Sequence, residues 1–115
     1  MSGGYIIRNA ADVAPVACPC GEARRIVTAA DGGAVSIHRV TISQEAKKHY
    51  HRRLTEYYYI LSGEGEIELD DEHRPVKPGD VIVIRPGVAH VLRGEMEILN
   101  IVSPPFDPAD EYVVE

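Results

Sequence analysis

Apolar and polar residues alternate over short distances along this chain, and the alternation is interrupted every several residues by glycine, proline or acidic turn signals. Such signals fall at "ADGGA" (30–34), "LSGEGE" (61–66), "RPVKPGD" (74–80), "RPGVAH" (85–90) and "RGEME" (93–97). Between them lie β-branched and aromatic runs that predict strands over Tyr5–Arg8, Arg24–Thr28, Val35–Ile42, Glu45–His51, Glu56–Leu61, Glu64–Leu69, Asp80–Arg85, Ala89–Leu92, Glu97–Val102 and Tyr112–Val114. Helical periodicity is confined to "NAADVA". Many short strands with so little helix predict an all-β sandwich or barrel. The prolines of "SPPFDPAD" predict an extended, irregular C-terminal arm that stays out of any central sheet.

Within this pattern, "KKHYHRRLTEYYYILSGEGEIELD" stands out (residues 47–70). Residues two apart in a strand share a face, so Lys47, His49, His51 and Arg53 share one side of the predicted strand. Two imidazoles therefore converge. A hairpin across "RRLT" would set Glu56 opposite or diagonal to His51, within reach of a shared ion. His90, after the proline–glycine turn, is a candidate to join from another strand pair. Three imidazoles and a carboxylate suit a first-row divalent metal and leave positions open for water or substrate; the spacing leaves the metal undecided. The competing reading is a solvated hairpin of charges. His38 and His73 read as surface or hydrogen-bonded residues.

The tyrosine triplet splits by the same alternation. Tyr58 is expected inward with Glu56, in reach of a proton-transfer role, and Tyr57 and Tyr59 on the other face, buried in a core layer or a dimer interface. A phenol beside a divalent ion is expected to titrate below its ordinary value.

Composition then narrows the function classes. A chain of 115 residues with 44% apolar content makes one domain whose core is large enough to fold without an obligatory metal. A net charge of -6 excludes a general nucleic-acid or anionic-membrane binder despite the local "KKHYHRR" cluster. No apolar run approaches a bilayer span, and the N-terminal "MSGGYIIRNA" lacks secretory features, so the expected location is the cytoplasm. Cys18 and Cys20 in "CPCG" read as ordinary thiols; a soft-metal thiolate pair would need two further ligands, and the spacing is not that of thioredoxin-like redox motifs.

The residues also carry a resemblance. The chain resembles the small single-domain cupins, whose first motif is G, five residues, H-x-H, three or four residues, E, six residues, G. His49, His51, Glu56 and Gly63 fit it, with Ser43 in place of the leading glycine. The second motif is G, five residues, P-x-G, two residues, H, three residues, N; Gly79, Gly87 and His90 fit, while Arg85 and Gly94 replace the usual proline and asparagine. The resemblance implies a double-stranded β-helix, a jelly-roll barrel with little helix. As a single domain over 1–115 it would comprise a motif core at 43–94, an N-terminal strand or arm at 1–33 and a proline-rich C-terminal arm at 103–115.

The resemblance further implies that His49, His51, Glu56 and His90 bind a divalent transition metal (iron, manganese, nickel, zinc or copper). It implies a metal-dependent enzyme of oxygenase, isomerase/epimerase or lyase type acting on a small polar, anionic metabolite, with Lys47, Arg53 or Tyr58 orienting or reacting with it. The rival is a non-catalytic, metal-assisted binding or sensing module for a sugar or small acid. A homodimer is expected, with "GYIIR" joining the partner's sheet.

Overall fold

In the computed structural model, which describes residues 4–114, nine strands form a single antiparallel system. They are β1 (Val16–Cys18), β2 (Gly21–Val27), β3 (Ser36–Ile42), β4 (His49–Tyr50), β5 (Thr55–Leu69), β6 (Glu72–Val76), β7 (Val81–Ile84), β8 (His90–Ser103) and β9 (Tyr112–Val113). Among the described residues, helix is limited to 3-10 turns at Ala10–Asp12, Ala29–Asp31 and Pro108–Asp110. The predicted all-β class holds.

Two long strands organise everything else. The first half of β5 and the second half of β8 pair from Thr55↔Ser103 to Ile60↔Ile98, flanked by β3 on one side and β7 on the other. Their remaining halves pair from Ser62↔Glu97 to Leu69↔His90, flanked by β6 on β5 and by β4 on β8. One strand pair thus serves both walls of the barrel. The pattern had divided each of these strands in two, because "LSGEGE" and "RGEME" read as turns. The chain instead bends through them with a bulge between Ile60 and Ser62.

Glycine makes the bend possible. Gly63 has φ 84° and Gly94 has φ 128°, and a Cβ at either would lie 2.2 Å from the Glu95 carbonyl oxygen or 2.6 Å from the Glu64 carbonyl oxygen respectively. The two backbones touch where they fold over. Gly94 therefore answers to strand crossing at the position where the second motif usually has asparagine.

Alternation places the core. In β3, Ser36, His38, Val40 and Ile42 face inward and are buried. With Ala23, Ile60, Ile67, Leu92, Met96 and Ile98 the apolar members form one core cluster. Several segments differ from expectation: β1 is not among the predicted strands, and Glu45–His51 narrows to β4. Tyr5–Arg8 forms no strand among the described residues, and Met1–Gly3 of the expected N-terminal arm lie outside them. β6 carries Pro75 yet pairs with β5, which an edge strand permits because proline lacks only the donor that would face outward.

The C-terminal arm is irregular as expected, but it is not peripheral. The Asp110 carboxylate, 1% exposed, accepts from the backbone N–H groups of Arg52, Arg53 and Leu54 at 3.0, 2.9 and 3.0 Å. β9 then pairs with β4. The arm clamps the "RRLT" loop.

Restoring the usual asparagine tests the strand crossing. Gly94→Asn should destabilise the fold by about 2–4 kcal/mol, since asparagine tolerates the left-handed helical region but not φ 128° against a backbone oxygen. Chemical denaturation of parent and variant measures it; an unchanged midpoint would remove the close-approach argument.

Candidate metal centre

β4 is too short to be held by its own ladder, and it acquires its position from neighbours: His49 pairs with His90 on β8 and with Val113 on β9. The backbone register itself thus sets two imidazoles side by side, with ring centroids 4.5 Å apart. His51 lies just past the strand end, where its carbonyl accepts from Gly87 N–H at 2.7 Å. Glu56 enters from β5. β4 and β5 are not paired, so Glu56 meets His51 across the barrel interior and not across a hairpin, contrary to the sequence expectation. Ligand atoms of His49, His51, Glu56 and His90 all lie within 4.8 Å of one another.

Each imidazole has one nitrogen already committed. Nδ1 of His49, His51 and His90 lies 3.0, 2.7 and 3.0 Å from the carbonyl oxygens of Lys47, Asp110 and Val88. A carbonyl only accepts, so each Nδ1 carries the proton and each Nε2 presents its lone pair in the neutral ring. Yet Nε2 of His51 and of His90 both approach the same Glu56 oxygen, at 3.0 and 2.8 Å. Lone pairs facing a carboxylate repel unless protons or a cation intervene. His49, His51, Glu56 and His90 would together offer nitrogen and oxygen donors to a divalent metal, which would supply the missing positive charge.

Electrostatics reinforce this picture. Burial opposes ionisation of Glu56, but its close contacts with His51 and His90 outweigh that cost and hold the carboxyl below the usual carboxylate range. Burial likewise disfavours the charged His51, yet the Glu56 carboxylate raises its pKa overall. For His49 burial dominates and, with the nearby His90, lowers it. Tyr58, 7% exposed, is pushed well above the ordinary phenol value by burial and by the Glu56 charge. The phenol stays protonated and donates toward Glu56 Oε1 at 3.4 Å.

The cluster borders a cavity of about 550 Å³ with an apolar wall of Ala23, Val40, Ile42, Leu92 and Ile98. Lys47 lines it, as do His49, Glu56 and Tyr58. Arg53 does not; it lies outside, paired with Asp107 at 3.0 Å, because the clamped loop turns it away from the face of His51. His73 is on edge strand β6 beside Glu66 and is not a member of the cluster. His38, read as unremarkable, is buried on the cavity wall against Phe106. Cys18 and Cys20 also line the cavity with sulfurs 2.8 Å apart, and burial, then the neighbouring thiol, pushes the Cys20 thiol up to about 12. Neither cysteine is in a disulfide.

Sequence reasoning missed three contributors. Asn100 donates to Glu56 Oε2 at 2.9 Å and so fixes the carboxylate from a neighbouring strand. Asp110 positions His51 through its carbonyl, and Glu111 brings a carboxylate 3.9 Å from His49 Nε2. Asn100 sits on the inward face of β8, opposite Tyr58, a position that strand alternation alone could have flagged.

Comparison with known proteins agrees with this geometry. A family model described as "Cupin domain" matches residues 36–102. An L-ectoine synthase of Aliivibrio fischeri is 34% identical over 103 residues, covering 84% of this chain and 80% of that protein. A solved structure of a protein from Planctomyces limnophilus has 40% identity and a TM-score of 0.91, covering 96% of this chain and 97% of that one. A Streptomyces nucleoside dehydratase, at 21% identity, shares the fold with a TM-score of 0.83 over 97% of this chain and 92% of its own.

The cluster makes metal affinity depend on protonation. All three Nε2 lone pairs must be free, so affinity should fall as pH drops from about 7 to 5. In the metal-free chain, His51 and His49 act oppositely. His51, raised, stabilises the fold below its unfolded pKa of about 6.5, and this is lost as pH rises through its folded value. His49, lowered, withdraws stability as pH falls from about 6.5 through its folded value. The melting-point difference between metal-loaded and metal-free protein should therefore shrink toward pH 5. His49→Ala, His51→Ala and His90→Ala should each release metal in equilibrium dialysis, and His73→Ala should retain it. Parental affinity in folded His90→Ala would break the convergence.

Proposed function

The chain belongs to the cupin family, and on that premise we propose that it is a metal-dependent cupin enzyme acting on a small polar metabolite in the cavity beside His49, His51, Glu56 and His90. The observation that carries this reading is the convergence of His51 Nε2 and His90 Nε2 on one oxygen of Glu56, with a ligand atom of His49 within 4.8 Å and each imidazole oriented by a carbonyl at its Nδ1. Bound there, a divalent transition metal (iron, manganese, nickel, zinc or copper) supplies a Lewis acid next to the cavity. Asn100 keeps the Glu56 carboxylate in place, and the apolar wall limits water around the ligand.

Tyr58 favours proton-transfer chemistry, of lyase or isomerase/epimerase type, over the oxygenase type. Its phenol lines the cavity and points toward the Glu56 carboxylate, where it can exchange a proton with a departing or rearranging group. Lys47 at the cavity lining contributes positive charge for an anionic group. The rival reading, a non-catalytic sensor or carrier, uses the same cavity without Tyr58 chemistry. The A. fischeri relative, an L-ectoine synthase, and the dehydratase-like fold both support the enzyme reading.

The described residues include no helix long and apolar enough to cross a membrane. A homodimer accords with the outward face of β5 and β7, where Tyr57↔Val83 and Tyr59↔Val81 form exposed apolar cross-strand pairs. Tyr5, Ile6 and Ile7 are exposed as well, which suits an arm laid on a second copy. Light scattering at micromolar concentration should give twice the chain mass; a monomer would overturn this.

Elemental analysis of freshly purified protein should find about one transition-metal ion per chain. Chelation should leave a folded barrel that melts lower, by about 2.7 kcal/mol relative to protein at a hundredfold excess of metal over its dissociation constant. Tyr58→Phe should retain metal yet lose turnover by about 10²-fold or more on any substrate found in a small-metabolite screen. Unfolding by chelator would make the ion structural, and full activity in Tyr58→Phe would return the site to a binding role.

A further inference from the structure

A second polar feature crosses the cavity wall and is not used by the metal centre. Arg25 on β2 is in register with His38 on β3, His38 with Asn100 on β8, and Asn100 with Tyr58 on β5. All four line the cavity. With strands about 4.8 Å apart, Arg25 lies roughly 10 Å from the backbone of Asn100, the residue that holds Glu56. The row therefore runs from the cavity mouth to the cluster, over an otherwise apolar wall.

Its outer end is a charge without a partner. Arg8, Arg39, Arg53, Arg74 and Arg93 each pair with a carboxylate, whereas among the described residues none pairs with Arg25. His38 beside it is buried and braced edge-on by Phe106 at 5.9 Å. Burial, then the Arg25 charge, keeps this imidazole below its ordinary pKa, so it is neutral and offers one N–H. Its ring makes no hydrogen bond among the described residues.

We propose that Arg25 and His38 form the carboxylate-recognition end of the cavity, so that the substrate is a short aliphatic monocarboxylate whose reacting end reaches the metal cluster. The inference rests on the reading of this cavity as the substrate chamber. A planar guanidinium with an adjacent N–H matches the two oxygens of a carboxylate. A phosphate dianion fits less well, because the cavity wall also carries the Glu56 and Glu111 carboxylates, and Glu45 there is already paired with Arg93. Val40, Ile42 and Ile98 suit the methylenes between the two ends.

The full chain, made metal-free so that direct ligation of a probe to an ion contributes nothing, is titrated by NMR with butyrate, butyramide and inorganic phosphate. Butyrate should bind saturably and shift the His38 ring resonances, while butyramide and phosphate bind more weakly. Arg25→Gln should weaken butyrate by about tenfold or more, Arg25→Lys less, and Arg53→Gln on the outer surface not at all. Parental butyrate affinity in Arg25→Gln, equal binding of butyramide, tighter binding of phosphate, or no saturable butyrate binding would each overturn the proposal. Arg25 is exposed on its strand, and circular dichroism of each variant confirms that the fold is intact. Metal occupancy plays no part here, so a chain that binds butyrate but no metal would refute only the metal reading, and the reverse result only this one.

Discussion

The Glu56 carboxylate is 4% exposed, and a buried anion must be compensated where it stands. Its neighbours are imidazoles whose Nδ1 protons are already given to backbone carbonyls, so their remaining nitrogens bring lone pairs and not hydrogens. Positive charge has to enter the middle of the group, as protons or as a metal ion. This requirement explains why Glu56 is held low and His51 high, and why metal and proton compete for one location.

Meeting that requirement takes the whole barrel. His49 and His90 are brought together by strand register, Glu56 by the first half of β5, and His51 by a loop that has no ladder of its own. The loop is rigid because Asp110 accepts three backbone N–H groups from it, while the same residue's carbonyl orients the His51 ring. The C-terminal arm is thus a supporting wall of the site. Gly63 and Gly94, at the crossing of β5 and β8, let one strand pair supply both sheets and so close the chamber.

The sequence made the ligand set readable because its members sit at fixed local spacings, His49 to His51 to Glu56, with His90 set by a proline–glycine turn. Alternation also separated Tyr58 from Tyr57 and Tyr59 correctly, since β5 keeps a strict period of two there. What it missed depends on distant register. Asn100 meets Glu56 across 44 residues and Asp110 meets Arg52 across 58, and no local pattern encodes such pairings. Arg53 was misplaced for a related reason: the period of two was carried past the end of β4, into a loop whose path is set by Asp110. β5 and β8 were each divided because glycine marks a turn and a bent strand equally well.

The dependence of β4 on β8 and β9 has a kinetic corollary. A two-residue strand offers almost nothing to stabilise it early, while the β5–β8 ladder joins segments tens of residues apart and carries a large loop-closure cost. The four ligands consequently meet only when the last short strands dock. Capture of an ion with a spectroscopic signature, such as cobalt(II), would mark the completion of refolding and not its onset, and a chain lacking the docked arm would collapse into a barrel well before it gained a coordination sphere.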